Sequence, residues 1–352
     1  MQFSLLCQKD IGQTLSKDRI TWRQGMTIPF NEAIAQSDAN RSLLIGNGFS
    51  IAQAGAQFSY ASLLEKTGLQ PGDPVRNVFT ALNTVDFELV MQALQHAAQI
   101  EDAYGEAARA TLFRNDAAAV REALIHAVRE VHPGISFDIP QAQRDRCGEF
   151  LRNFNNIFTI NYDLLLYWVI LRMAGNAFTD GFGLGDAVGG FRTFSEEGMC
   201  NTFYLHGALH LFLGDRRETL KRIVTTGAII NDIADTIRAR SQLPLFVSEG
   251  SAIEKMARIN SVPYLRYAYD KLKNLQGSLF IYGHSMAEND YHLYNAIFES
   301  DIDRLFVCVY RPEENLQSAR EKLAQFRERN HGIEVSYIDS ATAQVWQLCS
   351  AG

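Results

Sequence analysis

The chain has 352 residues, of which 47% are hydrophobic and 21% charged, with a formal net charge of −7. This is the composition of a soluble globular protein, long enough for one large domain or a core with an insertion. The mildly acidic balance argues against a dedicated nucleic-acid groove, and no apolar run approaches the roughly 20 residues of a membrane helix.

Residues 1–40 are polar and mixed, and the sequence predicts a surface wrap with a helix near Phe30–Gln36. Neither a basic leader nor a long apolar stretch marks a signal peptide at Met1-Gln2-Phe3-Ser4, so a cytoplasmic location is expected. The run Leu43-Leu44-Ile45 ends at Gly46 and suits a buried parallel strand over Arg41–Ile45, although periodicity alone also permits a helix. Residues 58–155 read as helices, punctuated by Pro71-Gly72-Asp73-Pro74 and His132-Pro133-Gly134. A strand at Asn156–Ile160 and a very apolar helix at Leu164–Met173 follow.

After residue 200 strands and helices alternate. Thr202–Leu205 and Ala208–Leu213 flank a histidine, and Leu243–Val247 is another apolar run. Helices are predicted at Ile253–Ile259, Tyr264–Leu275, Tyr291–Phe298 and Glu313–Arg329, with strands at Ser278–Tyr282, Arg304–Tyr310 and Ile333–Ile338. A last helix is expected at Ala341–Cys349. Such alternation implies an α/β, doubly wound, mostly parallel sheet. The expected organisation is a domain over residues 1–340, interrupted by a helical insertion at about 58–155, with 341–352 packed on it as a C-terminal helix.

Four short motifs stand in order along this frame. Gly46-Asn47-Gly48-Phe49-Ser50 follows the first strand. Its glycines let the backbone turn sharply and approach a phosphate, and Ser50 adds a hydroxyl or a helix cap. The alternative is a strand–turn–helix corner with no ligand. A complete G-x-G-x-x-G is absent, which does not support an ordinary dinucleotide dehydrogenase.

Thr159-Ile160-Asn161-Tyr162-Asp163 ends the second strand, where ligands of open α/β sheets bind. Asp163 can cap the next helix, but that does not explain Asn161. His206 precedes Gly207 after an apolar strand, and Gly283-His284-Ser285 follows another. The last turn can equally be polar punctuation with Asn289 or Asp290 as the helix cap, and His284 reads as secondary. Asp86 and Glu88 open a helix, where acidic groups suit the dipole.

Cys7, Cys147, Cys200, Cys308 and Cys349 are scattered and odd in number, as expected of free thiols in a reducing compartment. They form no paired ligand set, and His206 with His210 lacks a convincing third ligand. No metal is therefore expected.

In order and chemistry the four motifs resemble the NAD pocket of the Sir2 superfamily, over roughly residues 41–310. The match is to its bacterial Sir2-like members linked to anti-phage defence, including the DUF4917-type branch. The resemblance implies a Rossmann-like (Sir2-like) core with NAD as substrate. Gly46, Asn47, Gly48, Ser50, Thr159, Gly283 and Ser285 would hold phosphates and riboses. Asn161 would hold the nicotinamide ribose and the attacking water, His206 would act as base, and Asp163 would orient Asn161. Glu88 is left open as a pocket-facing residue.

The implied reaction is hydrolysis of NAD to nicotinamide and ADP-ribose, as an effector in abortive infection. A homo-oligomer and a regulatory partner such as a defence-system ATPase are implied with it, with no membrane and no direct nucleic-acid binding. Two departures matter. Deacylating sirtuins carry a zinc ribbon after their H-G motif, and this chain has none. Their G-I-P-D-F-R loop is replaced by Gly55-Ala56-Gln57-Phe58-Ser59-Tyr60. An NAD-dependent deacylase is thus one alternative. A non-catalytic NAD or ADP-ribose sensor or assembly subunit is another.

Overall fold

A computed structural model of the chain describes residues 27–54, 64–173, 175, 177–183, 186–223, 228–247, 251–328 and 332–347. The loop at 55–60 and the start of the expected insertion at 58–63 lie outside the described residues. Helix α1 (Phe30–Gln36) leads into strand β1 (Arg41–Ile45) and helix α2 (Gly48–Ala54). A 3-10 turn at Leu64–Thr67 and helices α3 (Pro74–Ala81), α4 (Phe87–Ala103), α5 (Ala107–Val131) and α6 (Gln141–Leu151) precede β2 (Asn156–Thr159) and α7 (Leu165–Arg172).

Short strands follow: β3 (Phe191–Thr193), β4 (Thr202–Tyr204), β5 (Gly207–Ala208), β6 (Leu211–Leu213) and β7 (Thr219–Arg222). Then come α8 (Ile229–Arg240), β8 (Leu245–Phe246), α9 (Ala252–Ser261), α10 (Pro263–Lys273), β9 (Gln276–Tyr282), α11 (Tyr291–Glu299), β10 (Asp301–Val309), α12 (Pro312–Arg327) and β11 (Glu334–Asp339). No helix among the described residues is long and apolar enough to cross a membrane.

Local chemistry starts these helices where the sequence indicates. Asp86 accepts hydrogen bonds from the N–H groups of Glu88 and Leu89 and so caps α4. Phe87, Val90, Met91, Leu94 and Ala98 then turn one buried stripe inward. Proline opens α3, α10 and α12, where its missing N–H costs nothing.

Six strands form one parallel sheet in the order β11-β10-β9-β1-β2-β4. The chain moves outward from β1 through β2 to β4, returns beside β1 as β9, and moves outward again through β10 to β11. Counted within the sheet this is the 3-2-1-4-5-6 order of the doubly wound Rossmann fold. The winding reverses between β1 and β9, and at such a point the crevice beyond the carboxyl ends of the strands is open to a ligand.

Both faces of the sheet are buried, as parallel sheets require. Leu43, Ile45, Ile157, Phe280, Tyr282 and Phe306 face a core shared with α1 and α4–α8. Leu44, Phe158, Leu279, Ile281, Leu305 and Val307 face the other, shared with α9–α12. Cys147, Cys200 and Cys308 are free thiols.

Two expectations require correction. The run Ala208–Leu213 does not extend the main sheet. It divides into β5, antiparallel to β8, and β6, which joins β3 and β7 in a small antiparallel sheet. The helix expected at Ala341–Cys349 does not form within the described residues. A 3-10 turn at Ser340–Ala343 ends at Gln344, whose φ of 45° is left-handed. Trp346 then folds back, donates its indole N–H to the Phe49 carbonyl at 2.8 Å and packs on the Phe49 ring. Burial of the indole beneath the first turn overrides helix propensity here.

Gly283 has a φ of +71°, and a Cβ there would lie 2.5 Å from the Phe49 nitrogen. The Gly283→Ala variant should lose about 1–3 kcal/mol from backbone strain alone, with displacement of the first turn in addition. Denaturant unfolding of the two proteins measures this, and an unchanged midpoint would refute the close packing of the two turns.

Candidate functional site

The first and fourth motifs meet at the switch point. Gly46 donates its N–H to the Tyr282 carbonyl at 2.9 Å, and Gly48 donates to Gly283 at 2.7 Å. A Cβ on Gly46 or Gly48 would come within 2.7 Å of Gly283 backbone atoms. Phe49 and Ser50 donate to the carbonyls of Gly46 and Asn47. These glycines therefore serve turn-to-turn packing, and the N–H groups of residues 48–50 are already committed. Ser285 is exposed, and its carbonyl accepts from the Lys322 ammonium at 2.8 Å.

Beneath the first turn lies a buried polar network. Asn161 is 2% exposed. Its Nδ2 donates to Ser50 Oγ at 2.9 Å and to the Gly46 carbonyl at 3.2 Å, and its backbone N–H donates to Thr159 Oγ1 at 3.0 Å. A carbonyl can only accept, so the Gly46 contact fixes which end of the carboxamide carries the nitrogen. Ser50 in turn donates to Asp163 Oδ2 at 2.5 Å, while Asp163 Oδ1 accepts from the Leu165 N–H at the start of α7.

Asn161 Oδ1 is buried and has no hydrogen-bond partner among the described residues. An orphaned buried acceptor costs roughly 1–3 kcal/mol, and such atoms cluster where a protein keeps a group ready for something else. Asp163 does cap α7 in this way, but its second oxygen holds the Ser50–Asn161 chain. The Ser50 hydroxyl both donates and accepts within the protein, so it acts on Asn161 rather than as an open phosphate donor. His132, from the end of α5, accepts the Leu164 N–H at 2.9 Å and ties that helix to the same corner.

His206 leaves the sheet after β4, the neighbour of β2. Thr159 pairs with Tyr204, so Asn161 and His206 each stand two residues beyond paired positions on adjacent strands, whose spacing is about 4.8 Å. His206 is 2% exposed, and its Nε2 lies 3.0 Å from Nε2 of His292, with the two rings stacked. His210, by contrast, is buried between Tyr167 and Tyr204.

Asp290 completes this second cluster. It occupies the cap position of α11 but makes no side-chain cap bond. Its oxygens instead meet Lys255 Nζ at 2.7 Å and His284 Nε2 at 3.3 Å. Burial alone would raise the Asp290 carboxyl, but His284, His206 and Lys255 outweigh it and hold it well below the usual range. Burial pushes His206 well below the ordinary histidine value, with His292 adding to the effect. It pushes His292 down to about 4. Both imidazoles are therefore neutral at neutral pH.

Of the residues singled out in the sequence, Gly46, Ser50, Thr159, Asn161 and Asp163 form one hydrogen-bonded unit, with Gly48 and Gly283 locked beside it. Asn47 follows Gly46 in the turn, its Oδ1 buried without a partner among the described residues. Ser285 meets Lys322 through its carbonyl and His206 meets His292, each apart from that unit. Taken singly, Lys255 and His292 carry no signal of a site in the sequence, Asp290 reads as a helix cap, and His284 reads as secondary. The Asp290-Tyr291-His292 spacing at a helix start was the available signal. Donor atoms of His206, Asp290 and His292 lie within 4.8 Å of one another, close enough to share a cation, although Lys255 already neutralises the carboxylate. Glu88 is bound by Arg258 through both oxygens, at 3.0 and 2.8 Å, and burial raises its pKa.

Residues 43–346 match the model of a family described as "Domain of unknown function (DUF4917)". No curated protein matches the chain. Among solved structures, a Sir2 mutant with a p53 peptide and NAD is similar over 84% of this chain and 96% of that one, at 13% identity and a TM-score of 0.34.

The buried imidazoles set an acid limit on stability. His292 titrates near 6.5 in an unfolded chain and near 4 in the fold. Between those values the unfolded chain binds more protons, so stability rises with pH through the window and is lost as pH falls from 6.5 to 4. The shift corresponds to about 3 kcal/mol. His206, pushed down in the same way, adds to it as pH falls, whereas Asp290, held below its ordinary value of 3.8, adds only below that pH. Thermal midpoints across this range should fall on acidification, and His292→Gln should flatten the slope. Parallel slopes in the two proteins would contradict it.

Proposed function

The chain belongs to the DUF4917 family, and we propose that it hydrolyses NAD at the bond between nicotinamide and ribose. The observation that carries this reading is the Asn161 carboxamide, whose nitrogen is anchored twice while its buried oxygen is left without a partner. It stands at the carboxyl edge of a Rossmann-ordered sheet, beside the switch point. The likeness of the four motifs to the Sir2 NAD pocket supplies the ligand.

As nicotinamide leaves, positive charge develops on the ribose. A fixed acceptor oxygen stabilises that charge and holds a hydroxyl or the attacking water without reorganising. Asn161 is assigned that role. Asp163 and Ser50 are positioning residues that act through it, and Thr159 fixes its backbone. His206, neutral and buried, would polarise a ribose hydroxyl or accept its proton. Gly46, Asn47, Gly48, Gly283 and Ser285 form the rim along which the phosphates would lie. Motif likeness to defence-linked Sir2-like proteins further supports an effector role in abortive infection. Self-assembly or a partner such as a defence-system ATPase would then control the activity.

Purified protein incubated with NAD should release nicotinamide and ADP-ribose. Asn161→Ala and His206→Ala should each reduce that release by at least about a hundredfold, the range of a lost general base or charge-stabilising group. Both side chains are 2% exposed, so melting curves must accompany the rates. Full activity in both variants would sink the assignment. NAD binding with no turnover would favour the sensor, and nicotinamide release only with an acyl-lysine peptide would favour the deacylase.

A further inference from the structure

The second polar cluster has a geometry that the proposed reaction does not by itself require. His206 follows β4 and His292 is the second residue of α11, which follows β9. In the sheet, β1 and β2 lie between those strands. The contact therefore joins the two halves of the fold over the carboxyl edge. At 3.0 Å, two imidazole nitrogens in direct contact must share a proton. Two lone pairs would repel, and two N–H groups would collide.

The surroundings hold this pair still. His284 Nδ1 faces the Met286 N–H and the Tyr294 hydroxyl, both at 2.9 Å. Because the N–H can only donate, the His284 proton belongs on Nε2, toward Asp290. Lys255, 7% exposed, fixes the other Asp290 oxygen. Tyr269 donates its hydroxyl to the His292 carbonyl at 3.1 Å. Two elements besides α11 thus converge on one carboxylate beside one histidine.

Resting on the NAD reading above, we propose that His292 is a positioning residue for His206: it engages Nε2 of that ring, sets its tautomer and leaves Nδ1 as the nitrogen that works on the substrate. The logic is that of an imidazole whose second nitrogen is held by a fixed partner. A shared cation in place of the proton is the competing arrangement. It is disfavoured because Asp290, the only anionic donor of the three, already carries the Lys255 ammonium at 2.7 Å.

The test uses the full chain labelled with nitrogen-15 histidine, as wild type, His292→Ala and His292→Gln. Imidazole nitrogen shifts of His206 are assigned by its loss in His206→Ala, and NAD kinetics are run in parallel. His292→Ala should lower kcat by on the order of a hundredfold with KM changed less than about threefold, the pattern of a lost transition-state arrangement. Its His206 signals should change from one tautomer to a mixture. His292→Gln, whose amide can still meet Nε2, should keep one tautomer and recover at least about tenfold of the rate.

An unchanged His206 tautomer in a folded His292→Ala protein would overturn the proposal. If that variant does not fold, His292→Phe, which keeps an aromatic ring without the nitrogens, is read by the same signals, and an unchanged His206 tautomer there overturns the proposal equally. One zinc per wild-type chain, lost from His292→Ala, would overturn it in favour of a cation. A wild type that never releases nicotinamide would refute the NAD reading alone, because the tautomer comparison needs no turnover.

Discussion

The backbone contact between the first and last glycine turns sets the geometry of everything above the sheet. Gly48 donates to Gly283 at 2.7 Å, and Gly46 donates to Tyr282 at 2.9 Å. With no side chain at Gly46, Gly48 or Gly283, two turns that would otherwise need separate room share it. That closeness starts α2 immediately after β1 and directs Ser50 downward, fully buried, onto Asp163. Trp346 braces the same turn from behind through the Phe49 carbonyl. The position of the Asn161 oxygen is thus a consequence of main-chain packing at the point where the sheet reverses.

Two buried polar networks stand on that base, and they obey different rules. The Ser50–Asn161–Asp163 network is a directional chain of donors in which each hydrogen has one destination, leaving a single acceptor atom unspent. The His206–His292–Asp290 cluster is nearly balanced in charge. One carboxylate is matched by one ammonium, while burial keeps both stacked imidazoles neutral. Burying an unmatched charge costs several kcal/mol, so Lys255 is what makes Asp290 tolerable at that depth. Breaking either network would leave an uncompensated group inside, which makes both rigid.

Much of the fold was legible because parallel strands buried on both faces read as short apolar runs ending in glycine or polar turns. Arg41–Ile45, Asn156–Thr159 and Gln276–Tyr282 all show this. The antiparallel pieces were not legible. β5 and β8 are two residues each and carry no period of their own. The C-terminal turn misled for another reason: Ala341–Cys349 has helical composition, but burial of one indole decides its course.

Within the site, Ser50, Asn161 and Asp163 were recognisable as motif members, yet sequence could not reveal that Ser50 serves Asn161 rather than a ligand. Lys255, His284, Asp290 and His292 were hidden because their meaning is tertiary. Asp290 looks like any helix cap until Lys255 comes from another helix to claim it.

The same contacts tie the helices between β1 and β2 to the histidines. Arg258 on α9 binds Glu88 at the start of α4 through both oxygens and also donates to the Phe246 carbonyl at 3.2 Å. Lys255 lies one turn earlier on the same side of that helix and donates to Asp290. Thr84, Asp86 and Gln92 line the cleft between the two elements with Lys255 and Arg258. Burial raises the Glu88 carboxyl while Arg258 opposes it, so the pair holds its geometry only while both partners stay in place. On the other side of the sheet edge, His132 fixes the Leu164 N–H beside Asp163. The helices between β1 and β2 therefore meet the helix that carries Lys255 through the Glu88–Arg258 pair, and the asparagine side through the His132 imidazole. Their packing and the geometry of both networks are parts of one structure.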